Sequence, residues 1–376
     1  MKYFGMLLML GMIVSGCKPA DEPQPSEAKP SDKTTTPTAT APVKMPADNS
    51  ETVASIEASG AKVEKDAEGF ITQIDFRKQQ VEPETLNKLP ELTHLQSLLF
   101  NESNLSDEGM KPIGQCTTLK NLDLRDCSIG NKGLASITEL KNLKALRLSG
   151  QSGATTVDDA GMVSVGQLTG LKALLLDFLW VSGEGLAELK NLQGLEELYL
   201  ASTLVGDEDL KQLMLFPQLK KLRVSKLSQV SRPGIEQIAQ LSHLEDLDLS
   251  ENSSLFDEDL APIATMLPLK RLNLWRVAIT DSGVSHLKDL TNLTWLNLDN
   301  TQLTDAGLPY LQKMQHLTFL HLGSTAISDA GLSELESLKS LKDLKVTRTA
   351  VTEAGVEKLK KELPKTEIQL NYLGDQ

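Results

Sequence analysis

From Leu293 the chain reads LTWLNLDNTQLTDAGLPYLQKMQH, and from Leu317 LTFLHLGSTAISDAGL repeats the pattern. Leu293, Leu296, Leu298, Leu303 and Leu308 return 24 residues later as Leu317, Leu320, Leu322, Ile327 and Leu332. Leu296 and Leu298 alternate, as side chains on one face of a strand do, whereas Leu308 and Leu311 stand at helical spacing. Each unit is therefore predicted to be a short strand, a turn and a short helix. Neither piece can bury its apolar side alone, so the units must stack into a solenoid. The first leucine of a unit falls at 95, 119, 143, 171, 195, 219, 244, 269, 293, 317 and 341. The spacing is 24 except for a 28-residue unit from Leu143 and 25-residue units from Leu219 and Leu244.

The ends depart from the pattern as solenoid caps must. Residues 51–94 predict an amino-terminal cap: a helix over Thr52–Ala58, then alternating runs Ala61–Lys65 and Phe70–Phe76 joined by Asp66-Ala67-Glu68-Gly69, a hairpin signature. Ile74-Asp75-Phe76 is in phase with Leu98-Leu99-Phe100, so the second run should begin the solenoid sheet. The array proper occupies residues 95–365. Residues 366–376 predict a closing strand, with Ile368 and Leu370 alternating, and a tail.

The units share the pattern L-x-x-L-x-L-x-x-(T/C/S)-x-(L/I/V)-T-D-x-G-L-x-x-L over about residues 74–372, which closely resembles the leucine-rich repeat. It is most similar to the helix-bearing, ribonuclease-inhibitor-like and cysteine-containing variants. The resemblance implies an α/β fold, a right-handed solenoid with a curved parallel sheet on the concave face and short helices on the convex face. In Thr304-Asp305-Ala306-Gly307 and Thr280-Asp281-Ser282-Gly283, the hydroxyl is expected to cap a helix and the carboxylate to face the positive end of its dipole. Asp209 and Asp259 stand where other units have glycine. Pro112, Pro262 and Pro309 fall within the helical part of their units, so those helices must be short or start late.

Composition adds an address and removes several activities. Residues 1–16 carry Lys2, an apolar run Phe4–Val14 and the small pair Ser15-Gly16, the layout of an export signal. With Cys17 the ending Val14-Ser15-Gly16-Cys17 resembles the lipobox of bacterial lipoproteins, which implies acylation of Cys17 and a membrane lipid anchor. Lys18 at the next position, by resemblance to a sorting pattern, favours the outer membrane of a bacterial cell envelope. Residues 17–50, rich in Pro, Thr and Ala, predict a disordered tether with a reach of roughly 30 Å. The net charge of −13 argues against a nucleic-acid partner, which wants a basic face. Three cysteines make no disulfide framework.

No catalytic constellation is legible. His94, His243 and His316 precede first leucines in turns, His286 belongs to a convex helix, and only His321 faces the sheet. Cys116 and Cys127 read as buried thiols, and no phosphate loop, dinucleotide fingerprint or zinc motif occurs. The expectation is a non-enzymatic monomer without cofactor or metal.

The informative positions are the third, fifth and seventh of each strand, which alternate outward from the leucines. In three successive units they read Arg271, Asn273, Trp275; Trp295, Asn297, Asp299; and Phe319, His321, Gly323. At strand spacings of about 4.8 Å this array covers roughly 10 by 13 Å. Trp295 and Phe319 should be neighbours. Large aromatics beside an arginine fit a hot spot for a protein partner. Two alternatives remain open at this stage: a glycan or cell-wall ligand stacked on the aromatic planes, and a purely structural envelope protein. A looser second cluster comprises Asp177, Phe178, Tyr199 and Arg223, and residues Gln151–Thr156 enlarge the loop of the long unit.

Overall fold

The structure is a computed structural model that describes residues 48–371. The signal segment 1–16, Cys17, all but the last three residues of the tether and the final tail from 372 lie outside the described residues.

Among the described residues, fourteen strands form one sheet in strict chain order, from Lys62–Lys65 to Glu367–Gln369. The first pair, Lys62–Lys65 with Ile71–Asp75, is antiparallel, and every later pair is parallel. Register advances by one unit per strand: Leu272 opposes Leu296, Leu296 opposes Leu320, and Leu320 opposes Leu344. The returning segments are short helices, such as Asp281–Ser285 and Asp329–Leu332. Strands sit about 4.8 Å apart whereas packed helices need about 8–10 Å, so the helix layer spreads and the sheet takes the inner side of the curve. The repeat leucines fill the space between the layers. Leu293, Leu296, Leu298, Leu303 and Leu308 are all fully buried, each worth roughly 1.5–3 kcal/mol against exposure.

Proline keeps three of the returning helices short or tightly wound. Pro309 and Pro262 lie within 3-10 segments, Asp305–Leu311 and Asp257–Thr265, and Pro112 lies in the four-residue helix Met110–Ile113. A residue without an N–H cannot continue the α ladder, and a tight turn of i→i+3 bonds is what remains.

The repeated aspartate lies in the first turn of its helix, as expected, and does a second job as well. The hydroxyl does cap its own helix: Ala306 N–H donates to Thr304 Oγ1 at 3.2 Å. The carboxylate also reaches into the next unit. Asp281 accepts from Thr304 N–H at 2.8 Å and from its hydroxyl at 2.6 Å. Asp257, Asp305 and Asp329 bind Thr280, Ser328 and Thr352 in the same way. Four consecutive interfaces are thus locked by one motif. The motif also explains its glycine. A Cβ on Gly307 would stand 2.4 Å from Asp281 Oδ1. In two units where the preceding one lacks the aspartate, the glycine is absent too, whereas Gly161 follows Asn131 and is kept. Asp209 follows a unit with Gly183 at that place, and Asp259 follows one with Arg232. Freed from a neighbour, Asp209 and Asp259 turn back on their own chain, accepting from Gly206 N–H at 3.0 Å and Phe256 N–H at 2.8 Å.

The amino-terminal end is closed by the helix Ser50–Ala58, which buries Ile56, and by the hairpin. His94 is not a merely solvated turn residue. Its ring stacks on Phe70 at 3.8 Å and Nδ1 lies 2.9 Å from Asp66 Oδ2, holding the hairpin turn to the first unit. Cys116 and Cys127 are buried free thiols. Burial pushes the Cys116 thiol up to about 12, and the Cys127 thiol also upward, so neither is a nucleophile at neutral pH.

Candidate recognition face

Strand alternation delivers the array to the inner wall, and the sheet register sets who meets whom. Arg271 opposes Trp295, and Trp295 opposes Phe319. The Trp295 and Phe319 rings stack with centroids 5.0 Å apart and planes only 5° from parallel. The Arg271 guanidinium covers the other side of Trp295, 4.3 Å from the ring centroid, while Arg271 Nε holds Asp246 Oδ2 at 3.2 Å. Lys345, on the strand beyond, places its ammonium 5.6 Å from the Phe319 centroid. The result is a row in the order cation, indole, phenyl, cation. Both faces of Trp295 are therefore occupied and its edge is what solvent sees; the side chain is half-buried.

The middle positions are quieter than their residue types suggest. Asn273 and Asn297 spend their carboxamide oxygens on their own chain, accepting from Trp275 N–H at 3.2 Å and Asp299 N–H at 2.9 Å. His321 meets the edge of Phe319, with centroids 6.4 Å apart at 73°, and its Nε2 lies 3.9 Å from Asp299 Oδ1. Burial holds the His321 imidazole below its ordinary value, against the opposing pull of Asp299. It is neutral at pH 7 and suited to hydrogen bonding rather than to ion pairing.

Trp275 stands apart from the row. Arg276 covers its ring at 5.3 Å, and together they form one end of a cleft of about 340 Å³ at the edge where the strands end. Asp299, His321, Lys345 and Arg348 also line it. Of these, Arg276, Lys345 and Arg348 were not singled out from the sequence. Lys345 follows the same strand positions one unit further on. Arg276 and Arg348 occupy the eighth position, where the backbone turns left-handed in unit after unit (φ 56° and 55°) and swings the side chain to the rim. A larger groove of about 950 Å³ lies on the opposite edge, by Lys270 and Lys342. It is removed from the aromatic row, and its charges are partly cancelled: Lys270 pairs with Glu245 at 2.8 Å and Lys339 with Glu362 at 3.7 Å.

The second cluster is closed upon itself. Arg223 reaches Asp177 at 3.1 Å and Asp248 at 3.2 Å while lying 4.6 Å over the Tyr199 ring. Asp177 also accepts from Ala201 N–H at 2.8 Å. Burial pushes the Asp177 carboxyl upward and the Tyr199 hydroxyl strongly upward. Phe178 lies under Lys226 at 5.6 Å. Ser152 N–H in the enlarged loop donates to Asp126 at 2.9 Å, tying the insertion to the neighbouring turn. Among the described residues no group of three or more His, Cys, Asp or Glu side chains is placed to hold a metal ion, and no helix is long and apolar enough to cross a membrane.

A leucine-rich-repeat family model matches residues 115–137 and 313–335. No curated protein matches the chain. Among solved structures, an internalin of Listeria monocytogenes superposes with a TM-score of 0.58 at 21% identity, covering 85% of this chain and 88% of its own. The plant peptide hormone receptor RGFR1 in complex with RGF2 gives 0.42 at 15% identity over 82% of this chain and 60% of the receptor. A leucine-rich-repeat protein of Leptospira interrogans gives 0.40 at 21% identity over 80% and 90%. The repeat pattern, the ordered parallel sheet and the fold shared with the internalin make this chain a leucine-rich-repeat solenoid.

Proposed function

We propose that the chain is a lipid-anchored, extracytoplasmic protein that catalyses nothing and binds a protein partner through the inner face of the solenoid, centred on Arg271, Trp295 and Phe319. The observation that carries the reading is the row itself. Rings clamped between two cations lose little further side-chain freedom on binding, which is what a preorganised anchor needs. The covered faces of Trp295 also bear on the glycan alternative, because a sugar stacks on a ring plane and neither plane is free. A partner meeting ring edges, the Arg271 guanidinium and the His321 nitrogen is a polypeptide. The lipid anchor at Cys17, the tether and the envelope location rest on the sequence pattern of residues 1–50. Assignment to the ribonuclease-inhibitor-like variants is supported by the helical returns.

The test is to purify the anchored protein from its own envelope, identify the co-purifying protein and measure its affinity for the wild type and Trp295→Ala. A loss of more than about 1 kcal/mol with an unchanged fold is expected; unchanged affinity removes this face. Replacing the whole row without any cellular phenotype favours the structural alternative. For the anchor, Cys17→Ser is expected to release the protein from membranes and to stop incorporation of labelled fatty acid.

A further inference from the structure

The cleft beside the aromatic row has a composition that the row does not explain. Three cations line it, Arg276, Lys345 and Arg348, against one carboxylate, Asp299, in a chain of net charge −13. Arg276 contacts Glu251 at 3.4 Å on its outer side. Lys345 touches the Phe319 ring and forms no ion pair with an acid among the described residues. Arg276 and Arg348 belong to strand ends three spacings apart, so their backbones flank the cleft at about 14 Å, and Lys345, on the same strand as Arg348, reaches back toward Phe319. Position seven of this unit is Gly323, which puts no side chain there. A Cβ there would meet Asp299 Oδ1 at 2.8 Å, His321 Nε2 at 2.9 Å and Thr347 Oγ1 at 2.9 Å. Three polar atoms from three consecutive units thus converge at that position, and Asp299, His321 and Thr347 line the same cleft as the three cations.

We propose that this cleft binds a short acidic segment of polypeptide, whose carboxylates lie along Arg276, Lys345 and Arg348 while Asp299 accepts from the segment's backbone N–H. This rests on the reading of the inner face as a protein-binding surface and names the chemistry of the partner. The width favours a segment over a single anion: one carboxylate cannot reach both arginines, whereas acids two residues apart in an extended chain are about 7 Å from each other. Asp299 favours a peptide over phosphate. An acceptor on the floor repels a bare anion, but a peptide brings an N–H for it. Lys345 belongs to both features, since it caps Phe319 and faces the cleft, so the acidic segment would lie directly beside the aromatic anchors.

The experiment follows the His321 ring resonance in the intact chain during titration with acetyl-Asp-Ala-Asp-amide, acetyl-Asn-Ala-Asn-amide and inorganic phosphate. The acidic peptide is expected to shift it saturably, with at least a five-fold weaker response to the Asn peptide and to phosphate. Lys345→Gln is expected to weaken the acidic peptide at least five-fold while the other ring resonances stay in place, and Arg276→Gln supplies a second variant should the first disturb the Phe319 contact. No saturable response, or equal responses to all three ligands, overturns the cleft as an acidic-peptide site. The cleft and the row fail independently: Trp295→Ala can leave affinity for the envelope partner unchanged while the peptide still binds, and the reverse.

Discussion

Two stretches of one inner wall, built on the same strand positions, handle charge differently. Around the strands Ala173–Asp177 to Asp246–Asp248, Arg223 bridges two carboxylates and covers a tyrosine, so cation and anions cancel inside the molecule. Around the strands Arg271–Asn273 to Asp343–Lys345, cations lie against rings: Arg271 and Arg276 each keep one acidic partner, and Lys345 has a ring contact and no ion pair among the described residues. An exposed aromatic or an arginine in such a wall is therefore not itself a sign of recognition. What distinguishes the carboxyl-terminal stretch is a cation, Lys345, that meets a ring rather than an acid.

The largest effect is expected where the closed network is opened. Arg223→Leu leaves Asp177 and Asp248 facing each other without a cation. Over a third of the guanidinium faces water, so the loss should fall to about 2–3 kcal/mol, at or below the lower end of the range for a buried pair. Denaturant unfolding measures it. The deficit should shrink in acid: burial already raises the Asp177 carboxyl above its ordinary value, and removing Arg223 raises it further, so protonation relieves the unpaired charge.

Next comes the interlock on which both stretches rest. Gly307→Ala drives a methyl group into Asp281 Oδ1 and is expected to cost about 1–3 kcal/mol, whereas Asp209→Gly and Asp259→Gly, where no neighbouring carboxylate intrudes, should each cost less. Pairing Gly307→Ala with Asp281→Ala should give less than the sum of the single changes, because the clash needs both residues. Additive losses would mean that the glycine serves only its own backbone.

The smallest effect concerns His321. Its folded-state pKa lies below the ordinary value of 6.5, through burial, so the unfolded chain binds the proton more readily. Stability is then full above pH 6.5 and declines as the pH falls through 6.5 toward the folded value. His321→Asn should flatten that decline by less than about 1 kcal/mol, and an unchanged slope would place the titration elsewhere.

The leucine period made the sheet, its order and its register legible, because inward leucines at positions one, four and six allow one stacking. The adjacency of Trp295 and Phe319 followed from the 24-residue spacing and strand alternation alone. The remainder depended on distances between units that no single unit displays. The aspartate looks like a helix-capping residue when one unit is considered, and only the stacked pair shows Asp281 binding Thr304. The cleft was missed because the eighth position follows the strand, where a left-handed residue redirects Arg276 and Arg348 to the rim. His94, likewise, needed the hairpin to be folded back before its partner Asp66 came within reach.

The most direct measurement sets the two stretches against each other with the co-purified envelope protein as ligand. Trp295→Ala should weaken binding more than about five-fold, and Arg223→Leu, assayed where both variants are fully folded, should leave it unchanged. Equal losses in the two variants, or a loss confined to Arg223→Leu, would contradict a recognition face centred on the clamped aromatic row.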